Sequence, residues 1–293
     1  MRRCVELLLA AVAGFAASSL LWSSESVTRL RSREERPFEE PTTPAGDPFD
    51  GESSRPSCED GARRFDKSQV VVLVPVKRDA DLRHAYATWY PYAETRAFFV
   101  GNCTLCNYSL PDDDRGLAFK VRGMFMDALT RYPDVQFFMK MDVDTYFVPE
   151  CLFDFLGRLN ASEALYVGFD TGEFLYGGSG FVLSRAALER TNNFTGRCAE
   201  RESYSLRAGD MSNAEDIFMG RCMKWAGVPK RHSNRFFFTR LDDVFGNHTT
   251  ESPWHHQKTP EYVPSHGLIT LHNYKKRDDY VAVHAALRFL HVP

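Results

Sequence analysis

The 293-residue sequence predicts an α/β fold, in which helices flank a mostly parallel sheet. Short apolar runs typical of buried strands alternate along the chain with segments of helical periodicity. One of these runs, residues 137–141, ends in two acids, Asp142 and Asp144. In open α/β sheets, ligands bind just beyond the carboxyl ends of the strands. We therefore expect a functional site where these acids leave the sheet, although an acidic turn that merely closes a strand would show the same pattern.

The first predicted strand is the β-branched run 70–74, which ends at Pro75. A helical segment at residues 82–89 and a second strand at residues 96–100 follow. Residues 116–132 then predict an amphipathic helix that Pro133 ends. Its apolar residues recur at helical spacing on one face, namely Leu117, Val121, Met124, Phe125, Ala128 and Leu129.

The second half of the chain continues the alternation. The patterns predict helices at residues 152–159, 185–190 and up to Ala226, and strands at residues 165–168, 181–183 and 268–274. Ser184 is placed to cap the helix that follows it, and Ser212 or Asn213 the next one. Gly227 and Pro229 are typical of a helix end.

The N-terminus predicts a membrane anchor. A basic tail, residues 1–3, precedes an apolar stretch at residues 4–22, which as a helix would span roughly 28 Å, about the thickness of a bilayer core. A cleavable signal peptide is the alternative, since small residues offer cleavage sites within the stretch. We favour an uncleaved anchor because the apolar run continues to Trp22. The prediction is a single-pass type II membrane protein of the Golgi or the endoplasmic reticulum, with its domain in the lumen.

Residues 23–66 are rich in proline and charge and show little periodicity, so they predict a flexible stem. The luminal domain is predicted to comprise residues 67–293. The formal net charge of −3 offers no basic surface for nucleic acid.

The glycosylation sequons and the cysteines agree with a location of the domain in the lumen. The acceptor asparagines of Asn-x-Ser/Thr patterns are Asn102, Asn107, Asn160, Asn193 and Asn247. Cys4 falls in the apolar stretch, and the remaining cysteines leave several disulfide pairings open. We expect Cys103 and Cys106 to form a local structural disulfide, in preference to a redox motif or a zinc site.

Three polar clusters follow the two acids along the chain. They are the glycine-rich run 176–180, the pair Glu215 and Asp216 at a predicted helix start, and His272 in a predicted strand. Taken singly, each has a structural explanation: a tight turn, favourable charges at a helix N-terminus, and a core or surface histidine.

Taken together and in order, the clusters resemble the β1,3-glycosyltransferases of glycosyltransferase family 31, most closely the core 1 β1,3-galactosyltransferase and Fringe branch. The resemblance is carried by residues 83–89 (RHAYATW), 138–146 (FMKMDVDTY), 177–188 (GGSGFVLSRAAL) and 215–222 (EDIFMGRC). Two positions depart from the family pattern: Val143 replaces the middle acid of the usual triple acid, and Phe119 replaces a tryptophan before Lys120.

The resemblance implies a GT-A type, Rossmann-like fold that binds a UDP-sugar and Mn²⁺ (or Mg²⁺). By the same resemblance, Asp144 ligates the metal directly and Asp142 contacts the ribose or a metal-bound water. His272 supplies another ligand, and Asp216 is the catalytic carboxylate of the Glu-Asp pair. A single carboxylate suffices as general base for transfer with inversion, and the helix N-terminus is expected to help keep Asp216 ionised.

Further contacts are expected around this site. Lys77, Arg78 and Arg83 near the end of the first strand, together with Lys120, are candidates for nucleotide contacts, although solvated surface charges would look the same. The donor and acceptor loop is expected to include Tyr176, Gly177, Gly178 and Glu215.

The leading functional hypothesis is transfer of galactose to a glycoprotein or glycan. Alternatives are an N-acetylglucosaminyl- or other hexosyltransferase, a non-catalytic luminal chaperone of a related transferase, and a carbohydrate-binding module. The presence of Asp142, Asp144, Asp216 and His272 favours catalysis, because a chaperone or binding module needs none of them. A homodimer is one assembly that the sequence leaves open.

Overall fold

The computed structural model describes residues 64–77, 79–93, 96–101, 117–191, 215–238 and 267–290, and the single residues Cys58, Thr104, Cys106 and Cys198. The predicted anchor at residues 4–22 and most of the predicted stem lie outside this described part. Among the described helices, none is both long enough and apolar enough to cross a membrane.

The described part of the chain contains nine strands, six α-helices and two short 3-10 helices. The strands are β1 (Val70–Pro75), β2 (Arg96–Val100), β3 (Phe137–Lys140), β4 (Tyr146–Phe147), β5 (Tyr166–Gly168), β6 (Phe181–Ser184), β7 (Lys230–His232), β8 (Phe236–Phe237) and β9 (Thr270–Leu271). The helices are α1 (Asp79–Ala87), α2 (Leu117–Arg131), α3 (Pro149–Leu156), α4 (Arg185–Arg190), α5 (Glu215–Trp225) and α6 (Arg277–Leu290).

The main sheet is mixed, with the strand order β2-β1-β3-β6-β5-β7. Strand β6 runs antiparallel to both neighbours, whereas the pairs β1–β2, β1–β3 and β5–β7 are parallel. The sheet is mostly parallel, as predicted, with β6 as the one antiparallel strand among those described, because the connection from β5 returns the chain directly into β6. The reversal pairs Lys140, the last residue of β3, with Phe181, the first residue of β6. It therefore brings the glycine-rich run before β6 beside the acids after β3.

The strands of the sheet centre are buried on both faces. In β1, Val70, Val72 and Val74 belong to one apolar cluster, and Val71 and Leu73 belong to the other. Helices α2 and α5 pack on the second cluster, while α1, α3, α6 and a small sheet pack on the first. This alternation is the period of two expected of a strand with helices on both sides.

A second, three-stranded sheet has the order β4-β9-β8. The strand predicted at residues 268–274 is shorter than expected, since β9 comprises only Thr270–Leu271. Asn273, two residues further on, has a φ of 77°, which is incompatible with extended backbone. The chain turns there, and His272 lies in this turn rather than inside a strand.

Several predicted ends agree with the structure, and others shift by a few residues. The Ser184 hydroxyl accepts a hydrogen bond from the Ala187 amide at 3.1 Å, so its capping role is confirmed. The helix predicted at residues 152–159 begins earlier, because Pro149 occupies its first turn, where a missing N–H costs nothing. The predicted caps Ser212 and Asn213 lie outside the described residues.

The folded domain begins earlier than residue 67. Cys58 forms a disulfide with Cys151 in α3, and the Phe65 ring stacks on the Phe153 ring at 6.0 Å. Both residues fall in the predicted stem, and each contacts the domain through α3. Cys106 is also disulfide-bonded, and its predicted partner, Cys103, lies outside the described residues.

Candidate active site

Two acids and a histidine meet at the carboxyl end of β3. One ligand atom from each of Asp142, Asp144 and His272 lies within 4.8 Å of the other two. The small sheet accounts for this arrangement: β4 begins just after Asp144, β9 ends just before His272, and the two strands pair antiparallel. The Tyr274 amide also donates to the Asp144 carbonyl at 2.8 Å. The predicted metal-binding residues are thus brought together.

The imidazole of His272 is oriented by its other nitrogen. Nδ1 lies 3.2 Å from the Phe238 carbonyl oxygen, which can only accept, so we assign the ring proton to Nδ1. Nε2 then presents a lone pair to Asp144 Oδ1, 3.2 Å away. The Nε2 lone pair and the Asp144 oxygen would repel each other at this distance unless a proton or a cation lay between them. The ligand atoms of Asp142, Asp144 and His272 therefore fit a divalent cation.

The fully buried Lys140 ties the metal-site acids to the next helix. Its ammonium donates to Asp142 Oδ1 at 2.7 Å, to Glu215 Oε1 at 2.5 Å and to the Gly177 carbonyl at 3.0 Å. Burial lowers the pKa of Lys140, but the two carboxylates more than offset this and hold that pKa above its ordinary value. No role for this lysine was predicted from the sequence. The sequence did contain a signal for such a role, namely a charged residue at the end of an apolar strand and two residues before an acid.

The pKa values of the carboxylates in the site are shifted in different directions. Burial outweighs Lys140 and raises the pKa of Asp142. Burial raises the pKa of Asp144, but when His272 also carries a proton on Nε2, its hydrogen bond and positive charge outweigh burial and lower that pKa. For Glu215, the Lys140 charge prevails over burial and lowers the pKa.

Residues 177–180 form a turn before β6, here called the glycine turn. Gly177 and Gly178 allow this turn to fit between Glu215 and His272. A Cβ on Gly177 would lie 2.3 Å from Glu215 Oε1, and one on Gly178 would lie 2.7 Å from His272 Nε2. Either contact is closer than atoms tolerate. The Thr145 hydroxyl donates to the Gly178 carbonyl at 2.6 Å and fixes the turn against the acids.

Asp216 lies on the other side of this turn, at the start of α5. Its Oδ2 accepts from the Gly177 amide at 3.2 Å, and its Oδ1 accepts from the Ile217 amide at 2.8 Å. Burial, followed by the charge of Glu215, raises the pKa of Asp216 above its ordinary value. Burial beside another acid thus outweighs the lowering of this pKa that the helix N-terminus was expected to give.

Two tyrosines support the site. The half-buried Tyr176 packs edge-on against the His272 ring at 5.4 Å, and burial together with the four nearby acids raises the pKa of Tyr176 to about 12. Residues 142–145 form a turn, here called the metal-site turn. Tyr280 of α6 is buried against it, and its hydroxyl donates to the Thr145 carbonyl and accepts from Trp89 Nε1. Tyr280 was not predicted as a site residue, because the sequence pattern did not predict a helix at residues 277–290.

The other predicted residues are more scattered. Lys77 and Arg83 are exposed, and Lys120 is largely buried with its ammonium 3.4 Å from the Val76 carbonyl, at the end of β1. Asn160 is exposed in a turn that its side chain makes with Ser162. Outside the described residues lie Arg78 and the sequon asparagines Asn102, Asn107, Asn193 and Asn247, and nothing is described of the Phe119 side chain.

Comparison with known proteins assigns the family. A family model described as Fringe-like matches residues 104–284, more than half of the chain. The chain belongs to the Fringe-like family. The resemblance to glycosyltransferase family 31 is thereby confirmed.

Curated relatives of this Fringe-like chain match over a shorter stretch. Chondroitin sulfate synthase 3 of Homo sapiens is 33% identical over 107 residues, which cover 31% of this chain and 11% of that protein. Glycoprotein-N-acetylgalactosamine 3-beta-galactosyltransferase 1 of Xenopus laevis is 32% identical over 102 residues, which cover 32% of this chain and 26% of that protein. The chain thus matches only a minor part of the length of these relatives.

Similar solved structures include a glycosyltransferase involved in glycosylating the major capsid of PBCV-1, with a TM-score of 0.44 and 14% identity over 74% of this chain and 98% of that one. The glycosyltransferase GlyE of Streptococcus pneumoniae has a TM-score of 0.46 and 11% identity over 77% of this chain and 64% of that one. The family assignment depends on the sequence match and not on these structures.

Proposed function

We propose that this Fringe-like protein is an inverting, metal-dependent β1,3-glycosyltransferase of GT-A type, which transfers a sugar from a UDP-sugar to a hydroxyl of a glycoprotein or glycan. The observation that carries the proposal is the group of Asp142, Asp144 and His272, which faces Asp216 across a glycine turn. A cation site and a separate carboxylate are the two elements that this chemistry needs.

The metal would be held by Asp144 and His272, with Asp142 beside them. One Asp142 oxygen is bound by Lys140, which leaves the other for a metal-bound water or the ribose. Mixed carboxylate and imidazole ligation favours Mn²⁺ over Mg²⁺, which prefers oxygen ligands alone. When bound, the cation would neutralise the negative charge that develops on the departing diphosphate.

Asp216 would act as the general base. It would take the proton from the acceptor hydroxyl as that oxygen attacks the sugar from the face opposite the diphosphate. The amides of Gly177 and Ile217 hold its carboxylate in place. Its raised pKa suits a base, because proton transfer is most effective when the pKa approaches the working pH. Glu215 is excluded from this role by its ion pair with Lys140.

Galactose is the first candidate for the donor sugar, on the similarity to the Xenopus laevis galactosyltransferase. Other hexoses differ from it at one or two positions, so a neighbouring side chain could change the preference. We place the domain in the Golgi or endoplasmic reticulum lumen, anchored by residues 4–22. The Cys58–Cys151 disulfide supports such an oxidising compartment.

Calorimetry on the full-length chain tests the proposal. UDP should bind in the presence of Mn²⁺ and much more weakly after chelation. Hydrolysis of a panel of UDP-sugars would then identify the donor. UDP binding that does not depend on metal, or no binding at all, would rule out the proposed mechanism and favour a non-catalytic role in the lumen.

A further inference from the structure

Lys140 has no capacity left for a substrate. An ammonium group carries three donors, and its three protein acceptors are Asp142 Oδ1, Glu215 Oε1 and the Gly177 carbonyl. Its side chain is also completely buried. A lysine that contacted a phosphate would need an open donor and an accessible position. Lys140 therefore acts through the protein groups that it binds.

These three groups belong to the three segments that form the site. Asp142 belongs to the metal-site turn, Gly177 to the glycine turn, and Glu215 is the first residue of α5, next to Asp216. The Gly177 residue is held twice, since its carbonyl accepts from Lys140 and its amide donates to Asp216. A single ammonium group thus connects the metal-binding acids to the carboxylate on the other side of the turn.

We propose that Lys140 and Glu215 are positioning residues, whose buried ion pair holds the metal site and Asp216 at a fixed separation. The inference rests on the proposed function, because it assigns Asp216 and the metal site their roles. Misplacing a catalytic group by about 1 Å can cost roughly a hundredfold in rate, so such a pair can matter without touching the substrate.

Gly177 supports this assignment independently. A Cβ at this position would lie 2.3 Å from Glu215 Oε1, the same oxygen that accepts from Lys140. It would also lie 3.0 Å from Asp216 Cβ. The glycine therefore leaves just enough room for the ion pair to form beside the base.

Two substitutions of Glu215 give the decisive test. Glu215→Gln keeps an oxygen that can accept from Lys140, whereas Glu215→Ala removes it. For the folded full-length enzyme with Mn²⁺, we expect kcat to fall at least tenfold in Glu215→Ala and to recover to within about threefold of wild type in Glu215→Gln. If Glu215 were instead the base, both variants would be inactive, and if the pair only stabilised the fold, both would keep the wild-type kcat. Either result overturns the inference.

Lys140→Met supplies the second arm, with Arg235→Met as its control. Arg235 is also buried and ion-paired, but with Asp154 at 3.6 Å. We expect both variants to lose stability, and only Lys140→Met to lose kcat, by about a hundredfold per folded molecule. Equal kcat in the two variants would contradict a positioning role. A wild-type chain without Mn²⁺-dependent UDP binding would instead refute the proposed function, and this inference with it.

Discussion

Replacing Gly178 by alanine tests the metal site with a single methyl group. The new Cβ would lie 2.7 Å from both Nε2 and Cε1 of His272 and 2.8 Å from Tyr176 Cε1. An ordinary contact begins near 3.4 Å, so the imidazole must retreat by about 0.7 Å and the Tyr176 ring must also give way. The ring cannot move freely, because its Nδ1 is bonded to the Phe238 carbonyl.

This displacement exceeds what a metal site tolerates, since ligand distances are held to roughly 0.2 Å. We expect Gly178→Ala to weaken Mn²⁺-dependent UDP binding by about 10–100-fold, the range seen when ligand orientation is disturbed. Overpacking should also reduce the free energy of unfolding by about 1–3 kcal/mol. Calorimetry with UDP and Mn²⁺ measures the first effect and chemical denaturation the second.

Gly227→Ala is the matched control. Gly227 has a φ of 70°, and no atom lies within 4 Å of the position that a Cβ would occupy, so alanine there strains the backbone without touching the site. It should destabilise the fold by about 1–2 kcal/mol and leave UDP binding intact. If Gly178→Ala binds UDP with Mn²⁺ as tightly as Gly227→Ala does, His272 is not a ligand and the proposed metal site is wrong.

The remaining predictions concern the two carboxylates and the disulfide. Asp144→Ala should abolish Mn²⁺-supported UDP binding in calorimetry, and retained binding would exclude it as a ligand. Asp216→Asn should leave UDP affinity close to wild type while transfer falls by about 10²–10⁴-fold, and a near wild-type rate would require another base. Because the pKa of Asp216 is raised, kcat should decline on acidification at a higher pH than an ordinary aspartate would give, and a pH–rate profile measures this. Cys58→Ser should reduce the free energy of unfolding by about 2–5 kcal/mol, and unchanged stability in denaturation would show that the Cys58–Cys151 bond constrains nothing.

The sequence predicted the buried framework because its signals are local. The run Val70–Pro75 and the amphipathic pattern of Leu117–Arg131 each specify burial within a few residues. Only the strand at residues 268–274 of the small sheet was predicted, because its three strands are each two residues long and form only by pairing with one another. The role of Lys140 could not be predicted for a related reason: one of its partners, Glu215, lies 75 residues further along the chain.

The valine between the two acids lies in the turn that follows β3, where the Thr145 amide donates to the Asp142 carbonyl at 3.2 Å. Met139, Met141 and Val143 all pack on the first apolar cluster. Lys140 and Asp142 are joined by an ion pair, and Asp144 reaches His272, so the three alternate positions carry the charges of the site. An acid at position 143 would face the apolar cluster and could not join Asp142 and Asp144 at a cation. The absence of the family's middle acid is therefore compatible with metal binding, because the partly buried side chain at that position packs against the first apolar cluster.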